Sequence, residues 1–219
     1  MRQFLLAALV LGLGAAAFDG SALAQPSPSA PATPLRPAPA AQGVVVAFSG
    51  KTLSVKSASG VTATYVVADD ARFLRLRRID ASAIKPGSFV ATANVSQPDG
   101  SGVSKEFRVF APALKGLGEG HGPMAGEAPG TMMTNGTVTA EVVSTPRGRE
   151  MDVTYHGGGG QGVRHVVLPP SVAIREMSLV DRAEIKPGVA VEVRAGLSAD
   201  GVLIARAILV GENGQPPAA

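Results

Sequence analysis

The chain has 219 residues, with 20 Lys+Arg against 17 Asp+Glu for a formal net charge of +3, no Cys, no Trp, 27 Gly and 17 Pro. The lack of Cys excludes disulfides, thiolate metal sites, lipoprotein anchoring and thiol catalysis, so burial and backbone pairing must hold any fold it adopts. An apolar fraction of 45% is ordinary for a globular protein, and Gly plus Pro stays below the level of a wholly disordered chain.

In chain order, Met1-Arg2-Gln3 is followed by an apolar stretch from Phe4 to Phe18 and by the small residues Ala22 and Ala24 before Gln25. That order predicts a signal peptide over residues 1–24, and the stretch falls short of the ~20 residues needed to span a bilayer. The expected mature chain is periplasmic or secreted, without a transmembrane span, and its 195 residues suffice for one ordinary domain or two small ones. Residues 25–41 are mostly Pro and Ala, a composition that keeps the backbone extended and predicts a semi-rigid tether.

An internal repeat follows. Ile84-Lys85-Pro86-Gly87 recurs as Ile185-Lys186-Pro187-Gly188 at an offset of 101, and the same offset aligns Asp99-Gly100 with Asp200-Gly201. Upstream, Gly43-Val44-Val45-Val46 aligns with Gly136-Thr137-Val138-Thr139 at 93, so the second copy carries about eight extra residues, which we place in the Gly157–Gly162 loop. The repeats run over 42–112 and 135–214, joined by a Gly/Met/His-rich linker over 113–134 and followed by a tail over 215–219.

Each repeat reads as short strands. Val138, Ala140 and Val142 alternate with polar residues, as do Met151, Val153 and Tyr155, and Val191, Val193 and Ala195 around Glu192 and Arg194. Period two predicts one buried and one wetted face. Asp181-Arg182-Ala183-Glu184 reads as a capping box on a single helical turn, and Asp80-Ala81-Ser82-Ala83 keeps the cap without the Glu. The expected fold is all-β: two tandem small β-barrels of five to six strands, one per repeat, with one short helical turn each, since a closed barrel hides its edges.

The Gly-Thr-Val start, the Ile-Lys-Pro-Gly turn and the final strand Val202-Leu203-Ile204-Ala205-Arg206-Ala207-Ile208 resemble an uncharacterised family of exported bacterial domains, often tandem, of small OB-like barrel type. The resemblance covers both repeats and implies no catalytic residues. The first copy departs from it more, with Phe107-Arg108-Val109 where the second has Ile208-Leu209-Val210.

Catalytic constellations are absent from the motifs. Gly157, Gly159 and Gly162 fit G-x-G-x-x-G, but a strand follows where phosphate binding needs a helix, so they read as a hairpin loop. Asp69 and Asp70 are neighbours in an extended segment and face opposite ways. No Gly-x-Ser-x-Gly occurs, and only 3 His are available as bases. We therefore expect no enzyme and no obligatory cofactor.

Two binding chemistries are written in the chain. His121, Met124, Met132 and Met133 lie within thirteen residues on the Gly-rich linker, a soft donor set suited to Cu(I), against which stands a linker whose Met side chains fill gaps. Arg72, Arg75, Arg77 and Arg78 lie within seven residues, and the second copy has Ala173, Glu176, Ser178 and Leu179 in their places, so the fold does not require this charge. A solvated face is the default reading and a polyanion site the functional one. Nucleic acid is disfavoured by export, by 4% aromatics and by the lack of Trp. The expected function is a non-catalytic binding or scaffold module of the bacterial envelope, for an anionic polymer or a partner protein. The alternative is a periplasmic copper-handling protein using the linker.

Overall fold

The computed structural model describes residues 35–124, 126–140, 142–157 and 160–212. The expected signal peptide at 1–24, most of the expected 25–41 tether and the tail at 215–219 lie outside the described residues. In chain order the strands are β1 (Arg36–Pro37), β2 (Ala41–Ser49), β3 (Thr52–Lys56), β4 (Thr62–Arg78), β5 (Phe89–Ser96), β6 (Gly102–Phe110) and β7 (Gly120–Pro123). They continue as β8 (Thr131–Val138), β9 (Val143–Thr145), β10 (Gly148–Tyr155), β11 (Gly162–Leu168), β12 (Ile174–Leu179), β13 (Ala190–Leu197) and β14 (Leu203–Val210). Single 3-10 turns at Ala81–Ala83, Pro112–Leu114 and Arg182–Glu184 are the only helical elements among the described residues, and none is long or apolar enough to cross a membrane.

The fold is all-β, and its pairings close into two five-strand rings. In the first barrel β2 pairs β3, β3 pairs β4, β4 runs parallel to β14, and β14 pairs β13, which returns to β2. In the second β8 pairs β10, β10 pairs β11, β11 runs parallel to β6, and β6 pairs β5, which returns to β8. Each barrel therefore takes three strands from one repeat and two from the other. The expectation that each repeat closes on itself is corrected: the chain leaves the first barrel after β4, builds the whole second barrel over 89–168, and returns along β12. β12 bridges the barrels, antiparallel to β4 and parallel to β6. Leu76 pairs with Met177, its own equivalent at offset 101, so an approximate two-fold axis passes between them.

The Pro-Gly turns lock this exchange. Gly87 donates to the Val138 carbonyl at 2.7 Å and Gly188 to the Val45 carbonyl at 2.9 Å, each reaching into the other repeat. Both glycines hold φ near +90° (89° and 90°), a conformation that side-chain-bearing residues rarely adopt. The bulge between Ala93 and Asn94 recurs between Arg194 and Ala195, at the same offset.

Alternating apolar residues fill each ring. Val45, Leu53, Tyr65, Val67, Val193 and Ile208 belong to the first core, and Val90, Phe107, Val138, Met151, Val153 and Val166 to the second. A third cluster lies between the barrels, where Leu74, Leu76, Phe89, Phe110, Met177 and Leu209 are buried and the Phe89 and Phe110 rings meet edge-on at 5.3 Å.

Register also relocates the extra residues of the second repeat. Gly43 lies over Val55 and Lys56 as Gly136 lies over Val153 and Thr154, and Val55 and Val153 are 98 apart. Five of the eight extra residues therefore sit in the β8–β10 connection, which carries β9, and only three in the glycine loop. Other local expectations shift as well. β8 ends at Val138, so Ala140 and Val142 do not continue its alternation. Asp181 caps Ala183 N at 2.7 Å, but Glu184 pairs with Arg75 instead of reaching back. Glu192, expected on a wetted face, is 4% exposed and accepts from Arg194 Nε at 2.9 Å. The end of the tether is not free, because Arg36 and Pro37 pair with Leu197 and Gly196 of β13. The 113–134 linker is no inter-barrel tether either: it joins β6 to β8 within the second barrel and contributes β7.

Candidate functional site

Alternation along β4 divides the four clustered arginines between two faces. Arg75 and Arg77 share a face with Phe73, and both are engaged, Arg75 by Glu184 and Arg77 by Glu176 at 2.7 Å. Arg72 and Arg78 share the opposite face with the buried Leu74 and Leu76. The four thus form no single patch.

Register brings a different set together. Arg78 of β4 is the cross-strand partner of Arg175 of β12, and Arg175 is in turn the partner of Arg108 of β6. Neighbouring strands lie about 4.8 Å apart, so three guanidinium-bearing positions stand in one row within about 10 Å. The row borders the buried partners Leu76, Met177 and Phe110, two residues further along the same face. Like charges placed directly opposite one another destabilise a sheet. Among the described residues, the side chain of neither Arg78 nor Arg175 makes a hydrogen bond or ion pair to offset that cost. Arg108 pairs with Glu106, yet its buried Nε meets no acceptor, and burial pulls its guanidinium below the ordinary arginine range. Arg108 also feels the exposed Arg194 and the buried Glu192. Beside the row a cavity of about 320 Å³ is lined by Arg175, Glu106, Lys105, Glu127, Ala93 and Met124.

The approximate two-fold axis provides an internal control. At offset 101, Arg78, Arg175 and Arg108 correspond to Leu179, Leu74 and Leu209, which pair in the same way across β12, β4 and β14. One end of the inter-barrel sheet thus carries three leucines and the other three arginines on the same backbone. The fold accepts leucine at the equivalent positions, so the backbone arrangement does not require the charge. Sequence reading found Arg78 but missed Arg175 and Arg108, because they lie far off in the chain and β12 was assigned to a separate barrel. The signal was present in the substitution of Leu209 for Arg108 between the copies.

The Met and His residues do not converge. His121 pairs with Thr134 and Pro123 with Met132, so His121 and Met132 fall on one face of the β7–β8 ribbon and Met133 on the other. Met133 packs against the inter-barrel cluster, and Met124 is half-buried at the wall of the cavity beside Arg175. His121 stacks on Tyr155 with ring centres 5.1 Å apart, its Nδ1 lies 2.8 Å from Thr134 Oγ1, and burial lowers its pKa. His156 contacts Glu119 at 3.3 Å, and His165 lies between Asp152 at 2.8 Å and Glu150 at 3.0 Å. These carboxylates raise the His165 pKa, while Arg147, Thr145 and His165 together hold Glu150 at about 2. Among the described residues, no group of three or more His, Asp or Glu is arranged to hold a metal ion. The G-x-G-x-x-G segment is followed directly by β11, although Gly158 and Gly159 lie outside the described residues.

A feature that sequence reading did not find lies inside the second barrel. Thr92, Asn94, Ser104 and Thr134 are buried there, where the first barrel has Val193, Ala195, Ala205 and Ala41. Asn94 Nδ2 donates to Thr134 Oγ1 at 3.0 Å and to the Thr92 and Met132 carbonyls at 3.2 Å, while its Oδ1 accepts from Arg164 Nε at 3.2 Å. Thr92 and Ser104 share a hydrogen bond of 2.8 Å. These groups satisfy one another, so the network acts as a polar core and not as an open site. No family model, no curated protein and no solved structure matches this chain.

Proposed function

We propose that this protein is an exported, non-catalytic binding module of the bacterial envelope that takes an anionic polymer on the row Arg78–Arg175–Arg108. The observation that supports this reading is the row itself, in which Arg78 and Arg175 have no acidic partner, set against the leucine row at the equivalent place. Two guanidinium groups without acidic partners are available to sulfate, carboxylate or phosphate groups of a polymer, and a guanidinium accepts such groups in a two-pronged manner. The groove beside Arg175 continues the surface, and Lys105 there is paired with Glu127 at 3.0 Å.

The test replaces Arg78 and Arg175 together by leucine, the residue their equivalents show or face. The double variant is expected to lose retention on immobilised dextran sulfate and to unfold at the same temperature as the parent or higher, since a like-charge contact is removed. Parent retention should fall as salt rises, exposed charges being screened within about 10 Å at 0.1 M. Retention that survives the double change would return the row to a solvated face.

A further inference from the structure

The two barrels also differ at the end closed by the 3-10 turn between the third and fourth strands. In the first barrel, Arg182 of that turn lies over the Phe48 ring at 4.3 Å and the Phe73 ring at 5.8 Å, and it donates to the Gly50 carbonyl. The end is plugged by the chain itself. The second barrel lacks the plug, because offset 101 puts Ala81 where Arg182 stands and Ile174 where Phe73 stands. A cavity of about 360 Å³ remains there, walled by Ala81, Leu168, Pro169, Pro170, Val172 and Ile174, with Arg149, Gly148, Ser144 and Thr145 on its remaining side.

We propose that this cavity binds a small carboxylic acid with an apolar body, its carboxylate held by Arg149. Small-molecule sites are concave, mostly apolar and of about this size, with a few polar groups that fix orientation. Pro169 and Pro170 interrupt the strand that is continuous as β4 in the first repeat, and they give the wall rigid apolar rings. Arg149 Nη1 donates to the Ala81 carbonyl at 3.1 Å, which ties the guanidinium to the cavity wall and leaves most of its five donors unused. Thr145 is already committed to Glu150 at 2.7 Å, so it adds little to recognition. Asp80 feels the charge of Arg149 but caps Ser82 N at 2.7 Å, and neither it nor Glu150 lines the cavity. A ligand with an apolar body and one carboxylate supplies what the second barrel lacks, a ring-sized filler. The proposal is independent of the arginine row between the barrels.

The experiment titrates the full mature chain with benzoate, benzyl alcohol and benzylamine while following the methyl resonances of Val172 and Ile174. Benzoate is expected to cause saturable shifts of both, benzyl alcohol to bind about tenfold more weakly, and benzylamine not to bind, because an ionised acceptor strengthens the hydrogen bond to Arg149. Arg149→Gln retains a donor for the Ala81 carbonyl and should reduce benzoate to the level of the alcohol. Ile174→Phe installs the ring that the first barrel carries at Phe73, and it should abolish binding while holding or raising the melting temperature. No saturable shift with benzoate in the parent protein would overturn the proposal, as would equal binding of benzylamine. Should Ile174→Phe fail to fold, unchanged benzoate affinity in Arg149→Gln would overturn it instead.

Discussion

Gly43→Ala and Gly136→Ala are each expected to cost at least about 3 kcal/mol, lowering the melting temperature by about 10 °C. The cause is steric and not conformational, since neither glycine has a positive φ. A Cβ on Gly136 would run into the Thr154 carbonyl oxygen and come within 2.9 Å of Val153 Cγ1, and one on Gly43 would strike the Lys56 carbonyl and come within 2.8 Å of Val55 Cγ1. The obstructing oxygen belongs to the backbone of the next strand, so relief requires the first and second strands of a barrel to part. Gly122→Ala is the control, because a Cβ there meets nothing within 4 Å. It should change stability by less than about 0.5 kcal/mol. If Gly43→Ala and Gly136→Ala melt no lower than Gly122→Ala, the close approach of these strands is wrong.

Asn94→Ala should cost a comparable amount, about 3 kcal/mol, because it removes the hub of a buried network and strands its partners. Arg164 Nε loses its acceptor, while Thr134 Oγ1 and the Met132 and Thr92 carbonyls lose a donor. The first barrel indicates the remedy, having Ala195, Ala41 and Ala63 where the second has Asn94, Thr134 and Arg164. The triple change Asn94→Ala, Thr134→Ala and Arg164→Ala reproduces that apolar solution. It should therefore cost clearly less than the sum of its three single changes, the mark of groups that depend on one another. Urea unfolding of the four variants decides it, and simple additivity would show that the network is not coupled.

Much of the secondary structure was legible in the sequence. Period-two alternation in Met151, Val153 and Tyr155, the turn at Ile84–Gly87 and its repeat, and the Asp caps on the helical turns all reappear. The pairing partners were not legible, because the two copies are alike: Gly43 can lie beside Val191 or Val90, and local pattern cannot say which copy closes the ring. The offset counted eight extra residues but could not divide them, since total length is blind to which hairpin holds each one. Glu192 looked wetted because alternation describes one sheet alone, whereas a second barrel covers its outer face. The same blindness hid the arginine row. Arg78 was visible within its cluster, but Arg175 and Arg108 become its neighbours only once β12 lies between β4 and β6.

Strand exchange between the repeats is the claim on which the arginine row rests, and contacts between backbone protons test it most directly. Val191 pairs with Gly43 and Val90 with Gly136. Nuclear Overhauser contacts are expected within these two pairs in the isotopically labelled protein, isolated as a monomer. Contacts linking Val90 to Gly43 and Val191 to Gly136 would instead show that each repeat closes on itself, and would contradict the account.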